Sequence, residues 1–279
     1  PGKHDWSLCN LLAIFRMVCF ILRLKVNIVH LTWPPRYGEF FTYLLRKRTV
    51  ITMHDPLPHS SEDAWLNRFH RNVCFRLLDT FILLNDIQKK PFIEAYHMQH
   101  KRVVLSRLSA YTNLRNVQPQ YPDMNNYVLF FGGISSHKGV EYLCEAMDEV
   151  CKKHPDVKLV VAGKGNLYFD ITKYDIFNDG HLVLLNHYLD DSVLVGLIRH
   201  SLFVVCPYID ATQSGVVMSS FALNKPVVAT NVGALPTMVK DGQYGTIVPP
   251  KDVSALATAI EALIESPTGE EAMNPQIVR

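Results

Sequence analysis

The sequence has no surplus of either charge. Lys and Arg number 28 against 26 Asp and Glu, a formal net charge of +2, so bulk electrostatics offers no basis for a nucleic-acid partner. Its six cysteines include no C-x-x-C pair. Cys144 and Cys151, seven apart on one expected helix face, read as small core residues, and the pattern implies a reducing, cytosolic setting. There is no D-x-D triplet and no His/Cys cluster with metal-ligand spacing, so no bound metal is expected. The missing G-x-S-x-G argues against an α/β-hydrolase, and the missing G-x-G-x-x-G against a nicotinamide-dependent oxidoreductase. Nor is there an uncharged apolar run of the ~20 residues that a spanning helix needs. Leu8 to Leu24 is strongly apolar, but Asn10, Arg16 and Arg23 interrupt it. That stretch reads as a buried or half-buried helix ahead of a strand Val26–His30. With no small-residue cleavage site after it, it does not read as a convincing signal peptide.

What the sequence does have is apolar material, 48% hydrophobic against 19% charged, which suits an ordered core rather than disorder. From about Tyr127 strand and helix signals alternate. The runs Val128–Phe131, Val157–Ala162, Leu182–Leu185, Leu202–Cys206 and Pro226–Ala229 read as buried strands. Helices are expected over Lys138–Lys153, Asp190–His200, Gly215–Asn224 and Asp252–Glu265, the last with Asp252 as N-cap. Strands that are apolar throughout imply a parallel sheet covered on both faces. The first ~115 residues repeat the alternation more roughly, with strands at Val26–Leu31, Val50–Met53, Thr80–Leu84 and Arg102–Leu105. The expected fold class is α/β, with an N-terminal domain over 1–117, a Pro/Asn/Gln-rich linker over 118–127 and a C-terminal domain over 128–279. The chain opens directly into a helix, so the N-terminal domain is expected to lack its first strands.

Open α/β sheets bind ligands at the carboxyl ends of their strands, and three loops lie there. In Gly132-Gly133-Ile-Ser-Ser-His-Lys138-Gly139 the lysine can reach back and neutralise phosphate; a solvated helix-start lysine is the other reading. In Asp210-Ala-Thr212-Gln213-Ser214-Gly215-Val216, small polar residues ahead of a helix leave its first amides open to an anion. A cap by Thr212 or Ser214 is compatible with that. Gly163-Lys-Gly165-Asn166 is only a loop near the ligand. In the first half His54 follows a strand and reads either as a donor to the reacting centre or as structural.

In order along the chain, these segments resemble the retaining family 4 glycosyltransferases of the GT-B fold. The resemblance is carried by Thr212-Gln-Ser-Gly-Val-Val-Met-Ser-Ser-Phe-Ala-Leu-Asn-Lys225-Pro-Val-Val-Ala-Thr-Asn-Val-Gly-Ala-Leu-Pro236, by Asp241-Gly242 and by Gly245–Pro250. These follow Phe130-Phe-Gly-Gly-Ile-x-x-x-Lys138-Gly139 at the family's distance. The T-Q-S-G-V variant looks like enzymes building bacterial surface polysaccharides. The resemblance implies two Rossmann-like domains facing across a cleft. It also implies metal-independent transfer of a sugar, with retention, from a UDP- or GDP-type donor to a glycan or lipid-linked acceptor. No cofactor is implied beyond that donor. Lys138 and the Gln213–Val216 amides would stabilise the departing diphosphate, His54 would match the active-site histidine, and the base would sit near Gly163, Gly165, His187, Tyr188 and Leu189.

Two departures stand out. The family's arginine is Gly133 here, and its two glutamates fall on Ala211 and Ser219, or in the alternative register on Thr212 and Ser220. Serine could substitute weakly at the ribose, and Asp210 is near enough to reach the sugar. The alternative function is therefore a catalytically impaired nucleotide-sugar-binding or scaffold homologue. Arg46, Lys47 and Arg48 with the Arg68–Arg76 stretch could touch the inner membrane surface, although such clusters are more often solvated.

Overall fold

The computed structural model describes residues 8–32, 43–45, 48–54, 56 and 65–266. The chain divides into two compact units, Pro1–Leu108 and Ser109–Arg279. Arg46, Lys47, Asp55 and His59 lie outside the described residues, as does the Arg68 side chain.

Among the described residues the first unit holds α1 (Leu8–Arg23), β1 (Val29–Leu31), β2 (Thr49–Met53), α2 (Trp65–Leu77), β3 (Thr80–Leu83), α3 (Lys89–Ala95) and β4 (Arg102–Leu105). The four strands form a parallel sheet in the order β1-β2-β3-β4. Phe75, Phe81 and Phe92 fill its core, with ring centroids 5.4–5.6 Å apart in edge-on contacts, the arrangement that aromatic quadrupoles favour. Helix α1 is half-buried, as its sequence implies. Ile14 and Val18 face the core while Phe15 and Phe20 are exposed. The strand after it begins at Val29, not Val26. Lys25 adopts a left-handed conformation (φ 51°) that ends the helix and leaves residues 26–28 to make the turn. No helix among the described residues is long and apolar enough to cross a membrane.

The second unit holds β5 (Tyr127–Phe131), α4 (Val140–Lys153), β6 (Lys158–Ala162), α5 (Asp175–Asn178), β7 (Leu182–Leu185), α6 (Asp191–His200), β8 (Val204–Cys206), α7 (Gly215–Ala222), β9 (Val227–Thr230), α8 (Leu235–Val239), β10 (Gly245–Val248) and α9 (Val253–Glu265). All strands are parallel, in the order β10-β9-β8-β5-β6-β7. Every residue of β5 is buried, as a central strand with both faces covered requires. Helix α4 buries Val140, Leu143, Cys144, Met147, Val150 and Cys151, the face its spacing indicates. Burial pushes the Cys144 thiol up to about 12 and that of Cys151 to about 11, so both are packing residues rather than nucleophiles. Asp252 caps α9 by accepting from the Ala255 amide at 2.9 Å.

The expected linker is not a tether. The Gln120 amide donates to the Ser192 carbonyl at 2.9 Å, and the Gly196 backbone packs against Gln120 so closely that a Cβ there would overlap its carbonyl oxygen. The unit boundary falls at 108/109, and the stretch expected as linker (118–127) belongs to the second unit. Proline and amide residues mark irregular backbone, and irregular backbone can pack as tightly as a helix.

Gly163→Ala is expected to lose ~2 kcal/mol or more of unfolding free energy in urea, because Gly163 has φ +144° and its missing Cβ would overlap the Gly132 carbonyl. Gly180→Ala, with φ +77° and nothing within 4 Å, should lose only about 1 kcal/mol.

Candidate functional site

From β5 the second sheet winds outward through β6 to β7, then crosses back to β8 and winds the other way through β9 to β10. The connections leaving β5 and β8 therefore run in opposite directions, and the switch-point crevice of such sheets lies at the carboxyl ends of those strands. Residues 132–139 and 207–214 flank it. The His137 carbonyl accepts from the Ile209 amide at 2.9 Å and from the Asp210 amide at 3.3 Å. Gly139 (φ 64°) lies directly on the Pro207 carbonyl, where any Cβ would collide. The loop after β6 joins this group: Ile134 bridges Gly165, and the Gly165 amide donates to Asn186 Oδ1 at 3.0 Å.

One cation and one helix end meet this crevice. The Lys138 ammonium lies 3.7 Å from the centroid of the Tyr208 ring, within the range of a cation–π contact. Tyr208 is fully buried, and its hydroxyl lies 3.4 Å from Ser214 Oγ. Burial raises the Tyr208 pKa well above its ordinary value. It pushes the Cys206 thiol up to about 11, against the opposing pull of the Lys138 charge. Thr230 Oγ1 anchors the same segment by donating to the Tyr208 carbonyl at 2.6 Å. Ser214 caps α7, its hydroxyl accepting from the Val217 amide at 3.3 Å. Among the described residues the Gly215 and Val216 amides have no partner, as the first turn of a helix leaves them. The positive end of the helix dipole adds to their pull on an anion. A side chain on Gly133 would have room, since a Cβ there meets only the Lys164 carbonyl at 3.9 Å.

The residues singled out in the sequence fall unevenly. Lys138, Gly133, Gly163, Gly165 and Thr212 to Val216 lie on these neighbouring strand-end loops, with Thr212 buried and Gln213 half-buried. Asp210 is exposed on the same loop, and His187, Tyr188 and Leu189 follow β7, with Tyr188 78% exposed. Ser220 is fully buried and its hydroxyl donates to the Val216 carbonyl one turn back, at 2.9 Å. Ser219, at the other register, is buried as well. His54 belongs to the first unit, half-buried at the carboxyl end of β2. Sequence reasoning missed Tyr208. Its signal was two-residue alternation carried past the strand end, which sets it on the same side as Val204 and Cys206. Tyr111, whose hydroxyl stands 3.2 Å from where a Gly215 Cβ would be, carried no such signal. Among the described residues no group of three or more His, Cys, Asp or Glu side chains could hold a metal.

A family model described as Glycosyl transferases group 1 matches residues 125–266, and the chain belongs to that family. Alpha-D-kanosaminyltransferase of Streptomyces kanamyceticus is 30% identical over 148 residues, 52% of this chain and 38% of that protein. The phosphatidyl-myo-inositol mannosyltransferase of Mycobacterium leprae is 30% identical over 151 residues, 52% and 39% of the two chains. The match thus spans well under half the length of these relatives. Among solved structures, Anabaena HepE in complex with UDP and glucose superposes with a TM-score of 0.71 at 18% identity, covering 98% of this chain and 78% of that one. WaaG, a glycosyltransferase involved in lipopolysaccharide biosynthesis, gives 0.64 at 15% identity, covering 80% and 67%. The fold is that of the GT-B glycosyltransferases.

Ser214→Ala removes the cap on α7 and is expected to lose about 1 kcal/mol of stability, measured as a lowered urea midpoint at unchanged slope.

Proposed function

We propose that this chain moves a sugar from a UDP- or GDP-type donor to an acceptor hydroxyl, with retention and without a metal, in the synthesis of a cell-surface glycan. The observation that supports the reading is the Lys138 ammonium on the Tyr208 ring, whose hydroxyl lies 3.4 Å from the Ser214 cap of α7, at the switch point of the second sheet. When the glycosidic bond to the diphosphate breaks, negative charge grows on the leaving oxygen. A fixed cation and two oriented amides stabilise that charge without reorganising. Neighbours solved with UDP or a UDP-sugar support a uridine donor. Retention and metal independence rest on the family resemblance, as does the role of His54. Work at the cytoplasmic membrane face would suit a lipid-linked acceptor.

A second reading, a homologue that binds nucleotide sugar without transferring it, is favoured by Gly133 and by the absence of a carboxylate at 211, 212, 219 and 220. A thermal-shift panel of UDP, GDP, ADP and their sugars, followed by hydrolysis and transfer assays, separates the two. Binding without turnover would establish the second reading.

Lys138→Ala is expected to weaken UDP binding by about 10- to 100-fold and uridine binding hardly at all. Equal losses for both would remove the phosphate role of Lys138. Gly133→Arg places a cation at a position whose Cβ has room and is expected to tighten UDP binding by about tenfold, as read by calorimetry.

A further inference from the structure

A cavity of about 660 Å³ opens in the second unit, lined by Arg115, Arg199, Ala222, Leu223, Asn224 and Lys225. It is not part of the crevice described above. Lys225 stands just before β9, Arg199 is in the last turn of the helix that leads into β8, and Ala222 ends α7. The cavity therefore sits at the amino ends of the parallel strands, the opposite edge of the sheet from the loops that carry Lys138 and Ser214.

Its lining holds three cations and no carboxylate, in a chain whose formal net charge is only +2. Arg115 Nε donates to the Ala222 carbonyl at 2.7 Å, and Arg199 donates to the Arg115 carbonyl at 3.1 Å. Each arginine is thus held by one bond to main chain. Among the described residues neither guanidinium pairs with an acid, and each keeps its other N–H groups. The end of α7 carries partial negative charge that would oppose an anion, and the Arg115 bond to Ala222 offsets it. Lys225 completes the lining and is 7% exposed. Two guanidinium forks around one polar space match the oxygens of a phosphate group. The volume leaves room for the small polar group that the phosphate would esterify.

We infer that this cavity is a second anion site, which binds a phosphomonoester or phosphodiester group independently of the donor crevice. The phosphate could belong to a soluble ester or to a phospholipid headgroup.

The test uses the full chain, with inorganic phosphate titrated by calorimetry and flotation on vesicles of phosphatidylcholine with or without phosphatidylglycerol. Saturable phosphate binding that survives Lys138→Ala and falls by about tenfold or more in Arg115→Gln/Arg199→Gln supports a soluble ligand. Flotation only with phosphatidylglycerol, lost in the same double variant, supports a headgroup. Arg199→Gln/Lys225→Met keeps the Arg115 bond to Ala222, so it carries the test if the first pair fails to fold. UDP affinity is expected to be unchanged in either double variant, which separates this site from the donor site. Binding of neither probe, or binding indifferent to all the cavity substitutions, overturns the inference.

Discussion

At the switch point of the second sheet, main chain touches main chain where a side chain would normally stand. Gly139 rests on the Pro207 carbonyl, Gly163 on that of Gly132, and Gly165 on that of Ile134. These contacts hold the ends of β5, β6 and β8 in one cluster. The His137 carbonyl, accepting two amides from the following loop, closes it. The placement of Lys138 follows from this packing, since the lysine sits between His137 and Gly139. A substituent at Gly139 would push the two loops apart and carry the ammonium away from the end of α7.

The electrostatics grow from the same junction. A buried tyrosine ring offers its negative face to the ammonium while its hydroxyl touches the residue that caps α7. Tyr208 therefore couples cation and helix end mechanically. Low local dielectric strengthens each interaction there and raises the cost of ionising the tyrosine or the neighbouring thiol. Both stay neutral beside the Lys138 ammonium. Gly133 contributes no charge there, and a Cβ at that position would meet only the Lys164 carbonyl at 3.9 Å.

Much of this was legible in the order of residues. The all-apolar strands β5 and β6, the helix face carrying Cys144 and Cys151, and the Asp252 cap all depend on spacing within one element, and local spacing is what a sequence displays. The failures share a cause as well. The start of β1 was decided by a left-handed Lys25, the boundary at 108/109 by packing of Gln120 against α6, and the hydrogen bond of Ser220 by a carbonyl of its own helix. Each depends on where a side chain or a carbonyl finds a partner, which composition does not reveal.

By itself the sequence determined that the chain is a parallel α/β protein whose glycines, Lys138 and small polar residues fall at strand ends, because periodicity and turn chemistry act over a few residues. It also carried the family, because a long run of matched residues is a property of order alone. Only the tertiary structure decided that β5 lies beside β8 and not in chain order, since strand order comes from long-range packing. That adjacency brings Lys138 onto Tyr208 beside the cap of α7, while at the opposite edge of the same sheet Arg115, Arg199 and Lys225 line a shared cavity.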